Sequence, residues 1–223
     1  MEPISVAEQS LIDSRNQQGK LVRAFAHLIS YLFHPLFIST YITAFLLYVH
    51  PYVFAGFGPT LKLYRLLSIF LNHALIPGFA VFLMWRLKLI SSMQLKNSKE
   101  RIIPYAAAII FYFWGWNVMS RIPENPAVFV NFLQGVFFGV CGAWVININS
   151  KISMHTTAMG GALAFFLIFY LRDSNASGLY LSIVMLVAGM VGTARLIVSD
   201  HTRFQIIQGY VVGALAQVVA WWI

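Results

Sequence analysis

Residues 102–120 read IIPYAAAIIFYFWGWNVMS, nineteen positions without a Lys, Arg, Asp or Glu. As a helix rising about 1.5 Å per residue, the run is long enough to cross the hydrocarbon layer of a bilayer. Pro104 near its start suits a first helical turn. The pattern recurs along the chain, with charge-free stretches at 24–61, 66–85, 102–120, 125–150, 152–171, 174–194 and 204–223. The first is longer than one span needs, and Pro51, Gly56, Gly58 and Pro59 mark a turn inside it. The reading is an all-α, polytopic transmembrane helix bundle of about seven spans (six to seven). The helices are expected at about 28–49, 65–86, 104–120, 127–148, 155–171, 178–195 and 204–222.

Composition agrees. The chain is 59% hydrophobic and 10% charged, with a mean hydropathy of +0.74, whereas a soluble domain carries about 25% charged residues. One transmembrane domain is expected over 28–223, behind an N-terminal tail, 1–27. No cleavable signal peptide is expected, because the first apolar run follows Glu2, Glu8 and Asp13 and precedes no small-residue cleavage site. Leu11, Leu21, Val22 and Phe25 among polar neighbours fit either a surface-lying helix or a polar tail. The single Cys141 cannot form a disulfide within one chain. The net charge of +8 suits anionic headgroups or substrates. Its spread over several loops speaks against a nucleic-acid partner.

Three polar patches interrupt the apolar runs: 96–101 (KNSKER), 151–155 (KISMH) and 195–205 (RLIVSDHTRFQ). With seven spans they follow the second, fourth and sixth helices, so parity brings all three to one membrane face. Eleven of the fifteen Lys and Arg fall on that side, which read literally makes it cytoplasmic. Removing the six that belong to the patches leaves five against four, and the side stays open.

The third patch holds Arg195 and His201. Six residues apart, they are rotated by about 240° on a helix and cannot share a face, so a break is expected between them, with Ser199 or Asp200 capping the last helix. Gln205, four residues after His201, is placed on the same face, its amide oxygen positioned to accept an imidazole N–H. In the second patch Ser153 is a candidate cap with His155 in the first turn, a helix start that binds anions, and Lys151 adds charge. The first patch supplies Lys96, Lys99 and Arg101. His27, His34, His50 and His73 are read as structural, and Gly160, Gly161, Gly209 and Gly213 as close-packing positions.

In order and spacing these residues resemble the type 2 phosphatidic-acid phosphatase superfamily of integral membrane lipid phosphatases. That family's pattern runs Lys then Arg-Pro; Pro-Ser-Gly-His; and Ser-Arg, five residues, His, three residues, Asp. Lys-Ile-Ser-Met-His keeps the Ser and His at Ser153 and His155, and Ala194-Arg195, five residues, His201, three residues, Gln205 keeps the Arg and His. The chain departs where Lys96 and Arg101 are separated by four residues rather than six, where the Pro stands at Pro104, and where Gln205 replaces the Asp.

The resemblance implies a metal-independent phosphatase acting on a membrane lipid phosphate or diphosphate. His201 would be the nucleophile forming a phosphohistidine, and His155 the general acid. Lys96 or Lys99, with Arg101, Arg195, Lys151 and Ser153, would hold the phosphoryl oxygens. No metal or other cofactor is expected, since Glu100 and Asp200 are too few for a magnesium site. The partners are the lipid phosphate and the bilayer, read as a bacterial inner membrane. The alternative is a non-catalytic relative that binds a lipid phosphate or a partner protein, and Gln205 is the feature that favours it. A transporter is disfavoured by the lack of paired acids within the spans, and a protease by the absence of HExxH and Gly-x-Ser-x-Gly.

Overall fold

A computed structural model describes residues 19–95, 98–199 and 201–223. The described residues are helical, without strands, and form a polytopic bundle. The elements are α1 (Lys20–Leu32), α2 (Pro35–Val49), α3 (Pro59–Arg86), α4 (Lys99–Ser120), α5 (Ala127–Asn147), α6 (Met154–Arg172), α7 (Gly178–Val198) and α8 (Arg203–Trp222). The six from α3 to α8 are each long and apolar enough to cross a membrane, and the count rises to seven if the bent pair α1–α2 is one span.

The first expected helix, 28–49, is not one rod. It breaks by 60° between α1 and α2. Pro35 occupies the first turn of α2, and His34 before it is extended at φ −64°, ψ 136°, as the pyrrolidine ring demands of its predecessor. Within the stretch 10–27 read as a possible surface helix, residues 10–18 lie outside the described residues. The remainder belongs to α1, which leaves Leu21, Phe25, Leu28 and Leu32 exposed and buries Ala26 and Ser30. The second helix starts six residues before the expected 65, because Gly58-Pro59 is itself a helix start.

Pro77 lies inside α3, where a proline leaves the carbonyl four residues back without its donor. Here that carbonyl belongs to His73. The chain widens into a π turn over Leu71–Leu75 just before the proline, and the Tyr112 hydroxyl of α4 donates to the His73 oxygen at 3.0 Å. The His73 and Tyr112 rings stack 4.3 Å apart. The polar contact between α3 and α4 at His73 follows from the proline tolerated inside α3.

Helix α8 packs most closely on α6 and α5. A Cβ on Gly213 would overlap the Thr157 carbonyl oxygen and lie 2.6 Å from the Gly161 nitrogen, so backbone meets backbone where the two helices cross. This is the small-residue packing that replaces hydrophobic association inside a bilayer. The opposite ends of the helices carry separate polar contacts. Arg65 donates to Asn125 at 2.7 Å, and His50 lies 3.6 Å from Asp173.

Candidate functional site

The three patches meet at one end of the bundle. The Asn147 amide of α5 donates to the Ser98 carbonyl at 2.9 Å, and an Arg101 Nη1 donates to the Ile152 carbonyl at 2.9 Å. His201 Nδ1 lies 2.9 Å from the Lys151 carbonyl oxygen. First patch is thus tied to second, and second to third. His155 reaches in a fourth direction, its Nε2 lying 3.1 Å from the Ser30 carbonyl of α1.

His201 is buried, at 4% exposure. A carbonyl oxygen only accepts, so Nδ1 carries the proton and Nε2 keeps its lone pair. Its pKa is pulled down to about 4, mostly because burial disfavours the charged ring and further because the Arg101 and Arg195 charges lie near; the bond to the Lys151 carbonyl works in the other direction. A neutral imidazole with one open nitrogen in a cationic setting is the state a nitrogen nucleophile needs.

Two local expectations are corrected. The last helix is capped by Thr202, not by Ser199 or Asp200, and His201 precedes the cap rather than sitting in the first turn. The cap is a reciprocal box: the Thr202 hydroxyl accepts from the Gln205 N–H at 3.3 Å, and Gln205 Oε1 accepts from the Thr202 N–H at 3.1 Å. Ser199 instead turns back on α7, its hydroxyl donating to the Arg195 carbonyl. Gln205 Oε1 is 3.4 Å from His201 Nδ1, a longer approach than the Lys151 carbonyl makes. The expected contact between Gln205 Oε1 and the His201 ring is therefore present, with the Lys151 carbonyl the closer acceptor, and Gln205 also holds the helix start.

Ser153 is the residue before α6 and is fully buried, yet its hydroxyl makes no capping bond. Its Oγ has no partner among the described residues. Its carbonyl is well used, accepting from the Thr156 and Thr157 hydroxyls at 3.1 and 3.0 Å. Arg101, 8% exposed, gives Nε to the Leu95 carbonyl at 2.7 Å as well as Nη1 to Ile152. Two of its five donors therefore serve the loops, and its charge still acts on His201. Lys151 is half-buried, and Lys99 is exposed in the turn that opens α4. Lys96 lies outside the described residues. Glu100 is held by Ser91, whose hydroxyl donates to it at 2.9 Å.

Arg195 is the hub. Its charge acts on the rings of His34, His155 and His201, and His155 and His201 lie within electrostatic reach of each other. His34 was expected to be structural, and it does cap α2, with Nδ1 accepting the Leu36 N–H at 3.4 Å. Its ring also stands edge-on to His155, with centroids 5.3 Å apart. The sequence signal for this was the pre-proline position: a residue forced out of the helix at a break is free to point at a neighbouring helix end. Among the described residues no group of three His, Cys, Asp or Glu side chains is placed to hold a metal ion.

The arrangement offers one open imidazole nitrogen and a second histidine whose Nδ1 makes no hydrogen bond among the described residues, with the Arg195 charge acting on both rings and that of Arg101 on His201. It can bind a tetrahedral anion and deliver nitrogen to one side of it. In comparison with known proteins, no family model matches the chain, and no curated protein or solved structure matches it either.

Proposed function

We propose that the protein is a metal-independent phosphatase of membrane lipid phosphates or diphosphates, a divergent relative of the type 2 phosphatidic-acid phosphatases. The observation that carries the reading is the His201–Lys151 bond, which exposes Nε2 of a neutral histidine beside Arg101 and Arg195. His201 Nε2 forms a bond to phosphorus while the bond from phosphorus to the lipid oxygen breaks. The substrate's phosphate monoanion brings the proton: it passes from the P–OH to His155 Nδ1, whose ring is steadied by the Nε2–H bond to the Ser30 carbonyl, and from there to the departing oxygen. Water then attacks the phosphohistidine, His155 takes the proton back, and inorganic phosphate leaves. The positive charges of Arg195, Lys151 and Arg101 balance the charge on the phosphoryl oxygens.

A second reading, a non-catalytic binder of lipid phosphates, is favoured by Gln205. A carboxylate about 4 Å from an imidazolium is worth of order 4 kcal/mol at an effective dielectric of 20, and an amide supplies far less. Phosphate release by purified protein from phosphatidic acid, phosphatidylglycerol phosphate and a polyprenyl diphosphate, with and without EDTA, separates the two. The phosphatase reading expects release that survives EDTA and is inhibited by vanadate, which mimics pentacoordinate phosphorus. Binding without release supports the second reading, and strict dependence on magnesium overturns the mechanism.

A further inference from the structure

Helices α1 and α7 leave an open groove of about 600 Å³ between them, within the roughly 300–1,000 Å³ of small-molecule sites. Phe25 and Ile29 form one wall, and Met185, Gly189, Met190 and Ala194 the other. None of the lining residues is charged. The one hydroxyl, Thr193, is already spent on the Gly189 carbonyl at 2.9 Å. The α7 wall covers 185–197, about 18 Å of helix.

The two ends of this wall differ. Toward 185 it runs into the membrane-spanning part of α7. Near the other end, between the lining residues Ala194 and Ile197, stands Arg195, whose charge reaches His34, His155 and His201. An apolar trough that opens among lipid-exposed side chains and ends at a cationic hub is complementary to one kind of molecule, a hydrocarbon chain carrying an anionic head. We propose that the groove seats an acyl or prenyl chain of the lipid phosphate, with its phosphate at the Arg195 end. The proposal rests on the phosphate-site reading above and makes α1 a wall of the substrate site. A bare phosphate or a soluble phosphomonoester would leave the trough unused, so the groove sets a preference for long-chain substrates.

Gly189 gives a direct test. A Cβ there meets nothing within 4 Å, so Gly189→Leu has open space in which to extend into the trough, and leucine favours the helix over glycine. Full-length protein in phosphatidylcholine vesicles is irradiated with phosphatidic acid bearing a diazirine in one acyl chain, and in parallel with diacylglycerol bearing the same chain. Labelled positions are mapped by mass spectrometry. The proposal expects labelling of α1 and of 185–190 that is selective for phosphatidic acid and is reduced by Gly189→Leu. Equal labelling by the two lipids means bulk bilayer contact only and overturns it, as does labelling unchanged in the variant. Absence of both labels, as when a second copy or another part of the chain fills the groove, overturns it too.

Turnover separates this from the catalytic reading. Gly189→Leu should lower the ratio of long-chain lipid to aryl phosphate hydrolysis about tenfold, the scale of discrimination that a few apolar contacts supply. Hydrolysis of both substrates with an unchanged ratio overturns the groove and leaves the phosphatase standing. Selective labelling without hydrolysis of either does the reverse.

Discussion

His201 Nδ1 and the Lys151 carbonyl oxygen meet at 2.9 Å across fifty positions of sequence, joining the loop after α5 to the loop after α7. A backbone carbonyl here is the closer acceptor for the ring, ahead of the Gln205 amide oxygen that the spacing had placed there, at 3.4 Å. It fixes the tautomer without any charge, and no side-chain substitution can remove it without moving the loop.

Gln205→Ala should therefore lower stability more than it lowers turnover. Loss of the reciprocal cap with Thr202 costs about 1 kcal/mol, read as a fall in Tm, while turnover drops by less than about tenfold because the Lys151 carbonyl still holds the ring. Gln205→Glu keeps the box and places a carboxylate near Nδ1, so lipid phosphate turnover should rise. Complete loss of turnover in Gln205→Ala at unchanged Tm would show that the amide, not the carbonyl, orients His201.

The acid limb of the pH profile reports on His201. Its folded pKa is lowered from 6.5 to about 4, so if His201 is the nucleophile proposed above, the ring stays neutral well below pH 6.5 and kcat/KM should not fall with an apparent pKa near 6.5 on account of this residue. The same shift sets a stability trend. The unfolded ring takes its proton near 6.5 and the folded ring only near 4, so the folded state loses ground as pH falls through that window, by at most about 3 kcal/mol. His201→Gln should flatten that part of the stability curve, as followed by thermal melts from pH 7 to pH 4.

The spans were legible because charge-free length is a one-dimensional property: every helix from α5 to α8 lies within about three residues of its expected ends, and α4 differs only in starting five residues early with a 3-10 turn. The break at His34 was missed, although Pro35 marks it, because an apolar run continues through it and hides the turn. The convergence of the patches followed from parity alone. What parity cannot give is direction. The Arg101 guanidinium faces the Leu95 and Ile152 carbonyls, and the His201 ring finds Lys151. Backbone acceptors have no residue type, so no spacing in the sequence announces them. Ser153 illustrates the converse: the cap position was readable, and the idle hydroxyl was not.

Arg101→Lys should behave as a structural lesion with a catalytic consequence. A lysine cannot bridge Leu95 and Ile152 as the planar guanidinium does, and hydrogen bonds to charged groups are worth about 1.5–3 kcal/mol each. Tm should fall and turnover with it, because Ile152 adjoins the Lys151 carbonyl that orients His201. Lys99→Ala, at an exposed site, should leave Tm unchanged; an equal fall in both variants would place Arg101 outside this brace.

Gly213→Ala should be among the most damaging single-methyl changes in the chain. The added carbon meets the Thr157 carbonyl and the Gly161 nitrogen, and backbone on both sides cannot give way. Separation of α6 from α8 would cost several kcal/mol, of the order of other overpacking lesions or beyond. Gly189→Ala, facing open space, is the matched control and should gain up to about 1 kcal/mol of helix propensity. Comparable yields and melting points for the two variants in detergent would contradict the close crossing.

His34→Asn isolates the ring from the cap. Asparagine is among the best capping residues, so Leu36 keeps an acceptor and α2 its start, while the edge-on contact with His155 is lost, a contact worth about 0.5–1.5 kcal/mol. A general acid matters most when the leaving group is poor. If the ring of His34 positions His155, hydrolysis of alkyl phosphates should fall roughly tenfold while that of aryl phosphates with good leaving groups barely changes, a smaller copy of the pattern expected for His155→Ala, whose alkyl loss should reach about 100-fold or more. Comparing kcat for the two substrate classes in both variants checks this. Equal losses for alkyl and aryl substrates in His34→Asn would reduce His34 to its capping role, and equal losses in His155→Ala would remove His155 from proton transfer altogether.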